Sequence, residues 1–351
     1  MKALVTGGGG FLGRAIVQQL LKAGYSVRTF SRNRHPQLER LDAEVRHGDI
    51  TSPLAVIEAC QDCDVVFHVA AKVGIWGRYR DYHNVNVCGT DNVIQACRAA
   101  GVSRLIYTST PSVVFASGDI EEADETIPYP PKFKSPYPRS KAIAEADILA
   151  ANDSRLATAA LRPHLIWGPG DTHLIPAILS RGRQRRLFRI GSQSSLVDFT
   201  YIDNAAEAHV LTARKLWPGS EVAGKAFFIT DGNPIPLWDF VNRVLKCAGL
   251  QPVNRSVHPK LAYAGAAFCE MLYRILALEK EPPLTRFLVD EMATAHWFDI
   301  SLANRLLGYY PRISTEEGFE RLSHWIRESS TDQKNRDASA TTGLGGIPGG
   351  S

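Results

Sequence analysis

The chain has 351 residues, of which 44% are hydrophobic and 22% are charged, and its formal net charge is +4 at neutral pH. This composition is ordinary for a globular enzyme, and the mild charge argues against nucleic-acid binding, which usually leaves a stronger basic footprint. The single C-x-x-C, at Cys60 and Cys63, has no second pair to complete a zinc site. We therefore expect no metal site, reduced thiols and a cytoplasmic location.

The first half of the chain alternates strands with helices. A strand in "KALVT" runs into glycines, and a helix follows in "FLGRAIVQQLLKAGY". The alternation continues through strands in "SVRTFS", "AEVRHGDI", "DVVFHVAA", "RLIYTST" and "LATAALRP". Such a pattern indicates β-α-β units. The sequence predicts an α/β fold, a doubly wound parallel sheet of the NAD(P)-binding Rossmann type, over residues 1–166.

The second half is less regular. Residues 167–328 are interpreted as a smaller, mostly helical substrate-binding region, whereas 198–232 are expected to return to the first domain, with "KAFFIT" as a strand that rejoins the sheet. The most apolar window, 261–278, contains charged residues, so a buried or lid helix is favoured over a membrane-surface helix, which stays open. The tail 329–351 is polar and then glycine-rich, which predicts disorder.

A glycine pattern directly follows the first strand and opens the first helix. It reads T-G-x-x-G-x-x-G and consists of Thr6, Gly7, Gly10 and Gly13. Glycines at these positions permit a tight turn and a close approach of the backbone to a pyrophosphate, which the N–H groups of the helix N-terminus then face. This turn therefore predicts a dinucleotide site.

The end of the second strand indicates which dinucleotide binds. An acidic residue there would bind the ribose 2′-hydroxyl of NAD, but this chain has Ser31 and Arg32, with Arg34 nearby. A hydroxyl and a guanidinium suit a 2′-phosphate, which favours NADP and leaves NAD open as an alternative. Asp49 ends the third strand, where its side chain is expected to reach the adenine.

Among the eleven tyrosines, Tyr137 alone has a lysine, Lys141, four residues later. The spacing places both on one face of a helix, and Pro138 in its first turn costs no hydrogen bond. A lysine ammonium favours the phenolate, so we predict that the phenol exchanges a proton near neutral pH. Thr110, or with less support Ser109, closes the fifth strand and is expected to bind the same substrate oxygen.

These motifs together resemble one family. "TGGGGFLG", "HVAA", "NVCGT", "YTST", "YPRSK" and "LRPHLIWGPGD" have the order and spacing of the extended short-chain dehydrogenases/reductases, and the resemblance covers nearly all of residues 1–328. It implies an oxidoreductase and a homodimer. The resemblance also implies that Tyr137 is the acid–base group, that Lys141 holds the ribose and that Thr110 donates a hydroxyl hydrogen bond. It also implies cofactor contacts from Phe11, Leu12, Asp49, Ile50, Ala70, Ala71, Asn86 and Pro163.

A narrower resemblance concerns the substrate. "AAKVGIWG", "FTYIDNAAEAH", "EPPLTRF" and "HWFDIS" resemble the 3β-hydroxysteroid dehydrogenase-like branch. Within it they resemble the enzymes that reduce 2-alkyl-3-oxoalkanoates in bacterial long-chain olefin synthesis. The resemblance implies NADPH-dependent reduction of a β-keto acid to a 3-hydroxy acid. It leaves association with the other enzymes of that pathway open.

Such a substrate needs an apolar cleft and a cation for its carboxylate. The cation candidates are Lys72 and the cluster Arg181–Arg189, although exposed surface charge is the simpler interpretation of each. His164 and His209 are interpreted as structural residues. The aromatic candidates for the cleft are Trp76, Trp167, Phe268, Tyr273, Trp297 and Phe298.

Three alternatives stay open. The first is a 3β-hydroxysteroid or 4-carboxysterol dehydrogenase, which would oxidise its substrate with NAD. The end of the second strand argues mildly against the use of NAD. The dehydratases of this fold usually carry acidic residues directly after the catalytic hydroxyl, where this chain has Pro111 and Ser112. A catalytically silent NADP-binding scaffold would not need the intact catalytic set.

Overall fold

The computed structural model describes the backbone of residues 1–342 and the side chains of residues 1–329. The strands are β1 (Lys2–Thr6), β2 (Ser26–Ser31), β3 (Ala43–His47), β4 (Val65–His68), β5 (Arg104–Thr108), β6 (Ile120–Ala123), β7 (Ala157–Pro163), β8 (Ile166–Trp167), β9 (Arg189–Ile190), β10 (Leu196–Val197), β11 (Thr200–Tyr201), β12 (Lys225–Ile229), β13 (Ile235–Pro236), β14 (Ser256–Val257) and β15 (His296–Phe298). The helices are α1 (Phe11–Lys22), α2 (Pro36–Glu39), α3 (Pro53–Cys60), α4 (Tyr79–Tyr82), α5 (Gly89–Ala100), α6 (Pro136–Ala150), α7 (Leu174–Arg183), α8 (Ile202–Lys215), α9 (Leu237–Cys247), α10 (Pro259–Ile275), α11 (Arg286–Ala293), α12 (Ser301–Leu307) and α13 (Thr315–Thr342). A π-helical segment (His83–Cys88) joins α4 to α5, and a 3₁₀ turn (Pro111–Val113) follows β5.

Seven parallel strands form the central sheet, in the order β12-β7-β5-β4-β1-β2-β3. This arrangement confirms the predicted doubly wound sheet. The "KAFFIT" segment forms β12, which pairs with β7 and so rejoins the sheet. The strand order reverses direction at β1, which lies between β2 and β4. Ligands of such sheets bind beyond the carboxyl ends of the strands at this point.

Both faces of the sheet are covered, which explains why its strands are almost continuously apolar. Side chains alternate along β1, so Ala3 and Val5 enter one core while Leu4 enters the other. The first core also contains apolar residues of α1 and α8, and the second contains those of α3, α5 and α6. The sheet is therefore a fixed platform whose carboxyl edge presents loops to a ligand.

A second sheet has four strands in the order β13-β10-β15-β6. Three of them lie in the region that the sequence predicted to be mostly helical, whereas β6 lies within residues 1–166. Its strands have two to four residues each, which is too short for side-chain alternation to be read from the sequence. This sheet pairs β6, shortly after β5, with β15 near the C-terminal end of the described chain. The domain boundary near residue 166 stays a prediction.

The C-terminal part contains α9 to α13. Among the residues that the structure describes, no helix is both long and apolar enough to cross a membrane. The apolar window 261–278 is not a buried helix, because α10 exposes Leu261, Phe268 and Ile275. The last helix, α13, enters the segment for which the sequence predicted disorder, and residues 343–351 lie outside the described residues, so that expectation stays a prediction.

Candidate active site

The turn between β1 and α1 brings its backbone against the loop that follows β4. Gly7 has a φ of +70°, and a Cβ atom there would lie 2.9 Å from Cα of Ala70. A Cβ at Gly13 would meet the carbonyl oxygen of Gly7. The Thr6 hydroxyl accepts hydrogen bonds from the N–H groups of Val69 and Ala70, both at 3.2 Å. Side chains are thus excluded below the N-terminus of α1, as a pyrophosphate cradle requires.

The end of β2 lies at the rim of the same space. The Ser31 hydroxyl donates to the carbonyl of Asn33 at 3.1 Å. The Arg32 guanidinium is mostly exposed, with Nη1 3.9 Å from Oδ2 of Asp49. Oδ1 of Asp49 accepts from the N–H and hydroxyl of Thr51, both at 2.9 Å, which fixes the carboxylate. A cation held loosely at this rim fits the phosphate on an NADP ribose.

The predicted cofactor residues and the catalytic candidates line one cavity of about 770 Å³ at the carboxyl edge of the sheet. This volume is typical of a small-molecule site. The predicted residues that line it are Gly7, Gly10, Phe11, Leu12, Gly13, Ser31, Arg32, Asp49, Ile50, Ala70, Ala71, Thr110, Tyr137, Lys141 and Pro163. The cavity thus joins the glycine turn to the catalytic candidates.

Asn86 is the exception among the predicted residues, because its side chain does not line this cavity. Its Oδ1 accepts from the N–H of Lys72 at 2.7 Å, and its Nδ2 donates to the carbonyl of Lys72 at 3.0 Å and to Oγ of Ser140 at 2.9 Å. Asn86 therefore joins the loop after β4 to α6, and its role at the site is structural.

Tyr137 lies in the first turn of α6, where its backbone is held from two sides. The hydroxyl of Ser135, just before the helix, donates to the carbonyl of Ile75 at 3.0 Å. The hydroxyl of Ser140 donates to the carbonyl of Tyr137 at 2.8 Å. Pro136 and Pro138 occupy positions whose N–H groups would have no helical partner, so they stiffen the turn at no cost in hydrogen bonds.

The pKa of Tyr137 differs in direction from the sequence prediction. Burial raises the pKa above its ordinary value, and the nearby acidic groups of Glu291 and Tyr82 raise it further. Lys141 does not offset this effect, because burial makes its own charged form unfavourable. Without a bound dinucleotide the pKa of the phenol is therefore raised, whereas the sequence predicted that a neighbouring lysine would lower it, and proton exchange near neutral pH in the cofactor complex stays a prediction. Tyr137 is held as a protonated phenol, which is the form that donates a proton.

Lys141 is buried one turn further along α6. Its Nζ donates to the carbonyl of Thr108 at 2.6 Å and lies 4.0 Å from the ring centroid of Tyr107. Burial lowers the pKa of Lys141 to about 7, and the carboxylate of Glu145 acts in the opposite direction. The lysine therefore exchanges its proton near neutral pH, which is the property that the sequence assigned to the tyrosine.

A buried ion pair fixes this part of α6 against the sheet. Nη2 of Arg162, on β7, lies 2.6 Å from Oε1 of Glu145, and the side chains are 4% and 0% exposed. The Tyr129 hydroxyl donates to the same oxygen at 2.6 Å. Glu145 follows Lys141 by one helical turn, so this contact joins the part of α6 that carries the lysine to β7.

Thr110 follows β5 in an extended conformation and begins the 3₁₀ turn. Its Oγ1 accepts from the N–H of Ser112 at 3.3 Å and lies 3.0 Å from Oγ of Ser112. If Ser112 donates in the second contact, the Thr110 proton is free for a substrate oxygen. The Ser109 hydroxyl also lines the cavity, is buried, and has no hydrogen-bond partner in the described part of the chain.

The aromatic residues predicted to form an apolar cleft do not all serve that purpose. Trp76 and Tyr273 meet edge to face at 6.3 Å and line a second cavity of about 680 Å³, which extends to Pro136 beside the catalytic tyrosine. Phe268 is 59% exposed to solvent. The remaining three, which line neither cavity, are Trp167, Trp297 and Phe298.

Two of these three have a clear structural role. Trp167 is fully buried and packs against Tyr201 and Phe240. Phe298 stacks on Phe228 with ring centroids 4.2 Å apart. The predicted cations also lie away from the catalytic cavity, because Lys72 lines the second cavity and the 181–189 cluster lines neither. The role of these cations in binding the substrate carboxylate therefore stays a prediction.

Sequence reasoning missed one pair of residues beside the site. The rings of His164 and His296 are 4.9 Å apart, and both side chains are buried. The sequence signal was the place of His164, directly after a strand whose last residue lines the cavity. His209 differs from this pair, because both of its ring nitrogens have partners, Oγ1 of Thr108 at 2.8 Å and the carbonyl of Ala205 at 2.7 Å.

Comparisons with known proteins agree with this geometry. Residues 4–260 match the model of the 3-beta hydroxysteroid dehydrogenase/isomerase family. The chain is 50% identical to a 2-alkyl-3-oxoalkanoate reductase of Stenotrophomonas maltophilia, over 92% of this chain and 98% of that protein. It is 47% identical to a protein of the same name from Shewanella oneidensis, over 91% of this chain and 85% of that one.

More distant relatives include a mouse protein named sterol-4-alpha-carboxylate 3-dehydrogenase, decarboxylating, which is 34% identical over 91% of this chain and 89% of its own length. Among solved structures, MoeE5 in complex with UDP-glucose and NAD is 25% identical, with a TM-score of 0.71, and the match covers 94% of this chain and 99% of that one.

Proposed function

The chain belongs to the 3-beta hydroxysteroid dehydrogenase/isomerase family, and from this premise we propose that it reduces a 2-alkyl-3-oxoalkanoate, a β-keto acid, to the 3-hydroxy acid with NADPH. The observation that carries the proposal is the 50% identity to the Stenotrophomonas reductase over nearly the full length of both chains. The cavity supports it, because a dinucleotide cradle, a protonated phenol, a hydroxyl and a lysine line one space.

The residues of this chain would divide the work as follows. The glycine turn would hold the pyrophosphate, and Arg32 would bind the 2′-phosphate. A bound NADPH supplies the hydride. The Tyr137 phenol, which burial keeps protonated, would donate its proton to the developing alkoxide, while the Thr110 hydroxyl would bind the same oxygen. Lys141 would hold the ribose and, when charged, stabilise the phenolate that remains.

We extend the proposal to the setting of the reaction. The motif resemblance supports a role in long-chain olefin synthesis, a homodimer, and association with the enzymes that make the keto acid and consume the hydroxy acid. All six cysteines are free thiols, which is compatible with a reducing cytoplasm.

A second candidate function is the oxidation of a sterol 3-hydroxyl with NAD. The observation that favours it is the 34% identity to the mouse sterol dehydrogenase. Arg32 at the end of β2 argues for NADP and therefore against it. A third candidate is a catalytically silent NADP-binding scaffold, and any measured turnover would exclude it.

The test follows NADPH and NADH absorbance with purified protein and a long-chain 2-alkyl-3-keto acid, with a 3-keto steroid as competitor. We expect NADPH oxidation with the keto acid and a loss of about 10³-fold or more in the Tyr137→Phe variant, because this variant removes the phenol that would donate the proton. Activity only with the steroid and NAD(H) would replace this proposal by the second candidate.

A further inference from the structure

We propose that Leu165 begins an apolar wall that binds an alkyl chain of the substrate and so makes the enzyme selective for long chains. The wall consists of Leu165, Ile166 and Leu174, which all line the catalytic cavity. The inference rests on the proposed function, because it takes a 2-alkyl-3-oxoalkanoate as the substrate. It names the residues of that site that recognise the chain.

The backbone of Leu165 has an unusual conformation. Its φ is +39°, in the left-handed region, which a bulky residue rarely adopts because its Cβ then crowds the following carbonyl oxygen. Of the five non-glycine residues with a positive φ in the described part of the chain, Leu165 alone lines the catalytic cavity. Such outliers are concentrated at functional sites, where the surrounding structure enforces them. The position of this one points to a role in ligand binding.

Thr200 holds the chain on both sides of Leu165. Thr200 is fully buried, and its Oγ1 accepts from the N–H of His164 at 3.2 Å and lies 2.7 Å from the carbonyl oxygen of His164. The parallel pairing of β8 with β11 places Thr200 opposite Ile166. Because the residues before and after Leu165 are fixed, the direction of its Cβ is fixed as well, and its side chain lines the cavity.

The wall begins beside the catalytic hydroxyl. β5 pairs with β7 in a register that places Thr108 opposite Leu161. Two residues further along each segment, Thr110 and Pro163 lie at the same edge of the sheet, and both line the cavity. Leu165 follows Pro163 by two residues. A ketone whose oxygen is bound by Thr110 therefore has its carbon substituents in the space that this wall borders.

The chemistry of the wall suits methylene groups. Its three side chains are apolar and only half-buried, and they face the cavity. An alkyl chain laid against them removes apolar surface from water, and each buried methylene then strengthens binding by about 4-fold. A sugar hydroxyl placed there would lose its hydrogen bonds to water without gaining a partner. The wall therefore favours a lipid over a sugar such as that of the UDP-glucose bound to MoeE5.

The second cavity suits an alkyl chain less well. Charged residues line it, among them Lys72, Asp81, Glu270 and Arg274. A methylene chain buried there would remove water from these groups and supply no hydrogen-bond partner in return, which is unfavourable. The apolar wall of the catalytic cavity is therefore the better site for the chain.

The experiment measures binding as a function of chain length and requires no turnover. Isothermal titration calorimetry, with the protein saturated with NADP⁺, uses 2-alkyl fatty acids, which lack the reacting oxygen. Their main chain and their branch are lengthened separately. The variants are Leu165→Asn and Leu165→Gly, because asparagine and glycine tolerate the left-handed conformation. The matched control is Leu54→Asn, at a leucine of α3 that is 74% exposed and lines neither cavity.

We expect the affinity of the wild type and the control to rise by about 4-fold per added methylene in the series whose chain lies on the wall. In both Leu165 variants the rise should fall below about 2-fold per methylene, because the apolar contact is lost. Their affinity for NADPH should stay within about 3-fold of the wild type, and their Tm should not fall by more than a few degrees, because each replacement relieves the unfavourable φ.

A wild-type rise with chain length in both Leu165 variants would overturn the inference, and so would an equal loss in Leu54→Asn. A loss of NADPH affinity as large as the loss of acid affinity would also overturn it, because Leu165 would then contact the cofactor. If the variants lose the chain-length effect but the wild type does not reduce the keto acid, the proposed function fails while the wall stands. If the keto acid is reduced and the variants keep the chain-length effect, the reverse holds.

Discussion

At the scale of single residues, burial acts in opposite directions on Tyr137 and Lys141. It raises the pKa of the phenol and lowers the pKa of the ammonium to about 7, because in each case the charged form loses its hydration. The result is a phenol that is protonated before the reaction and a lysine, one turn away, that can take up or release a proton at neutral pH. This order suits reduction, in which the enzyme must provide a proton.

The lowered pKa of Lys141 predicts how stability changes with pH. Between about 7 and its usual value of 10.5, the unfolded chain binds a proton at this lysine that the folded protein does not bind. The resulting contribution to stability is fully present above 10.5 and is lost as the pH falls through 7. The free energy of unfolding of the wild type, minus that of Lys141→Met, should therefore rise between pH 7 and 9 by up to about 1.4 kcal/mol per pH unit.

Urea denaturation of both proteins at pH 7, 8 and 9, without dinucleotide, measures this difference. The methionine variant serves as its own control, because the remaining titratable groups are shared and their contributions cancel. A difference that stays constant over this range would mean that Lys141 keeps an ordinary pKa in the folded protein.

The two hydroxyls at the end of β5 give a second prediction. Thr110→Ala should lower kcat/KM by about 10²- to 10³-fold, the usual effect of removing one donor to a developing oxyanion. Ser109→Ala should change it by less than about 3-fold and should not destabilise the protein, because the Ser109 hydroxyl is buried without a partner. Steady-state rates of NADPH oxidation measure kcat/KM for both variants. A larger loss in Ser109→Ala than in Thr110→Ala would assign the binding of the substrate oxygen to Ser109.

At the scale of elements, α6 carries the acid–base pair and must be held firmly against the sheet. The Glu145–Arg162 ion pair joins it to β7, and Asn86 joins its first turns to the loop after β4. Glu145 lies one turn beyond Lys141 on the same face of the helix. These contacts explain how a helix that begins in a proline-rich turn can hold its phenol in a fixed position.

Removing one member of the buried ion pair should therefore destabilise the protein. Arg162→Met leaves Glu145 buried without its cation, which typically costs about 3–5 kcal/mol of the free energy of unfolding. The double variant Arg162→Met/Glu145→Met should recover much of this loss, because no uncompensated charge remains. Urea denaturation of the two single variants and the double variant measures the coupling between Arg162 and Glu145. If the double variant lost the sum of the two single losses, the two side chains would not be coupled.

At the scale of the whole molecule, the sequence predicted what depends on local pattern. The parallel sheet, the return of β12 and the shared cavity follow from motifs whose spacing is fixed by β-α-β geometry. The direction of the Tyr137 pKa could not be predicted in this way, because it depends on burial and on Glu291, which is more than 150 residues away in the chain. The His164–His296 contact depends in the same way on the pairing of β15 with β6 and β10.

The cofactor site spans elements from both ends of the sheet, so a bound dinucleotide should stabilise the molecule as a unit. At 100 times its dissociation constant a ligand adds about 2.7 kcal/mol to the free energy of unfolding, which for a chain of this size raises Tm by a few degrees. We expect NADPH to raise Tm more than NADH does at equal concentration, because the Arg32 guanidinium can bind the 2′-phosphate.

Arg32→Ala should reduce the shift with NADPH to that seen with NADH and leave the NADH shift unchanged. Thermal denaturation of both proteins with each dinucleotide measures the effect. A larger shift with NADH in the wild type would mean that the cation at the end of β2 does not select the cofactor.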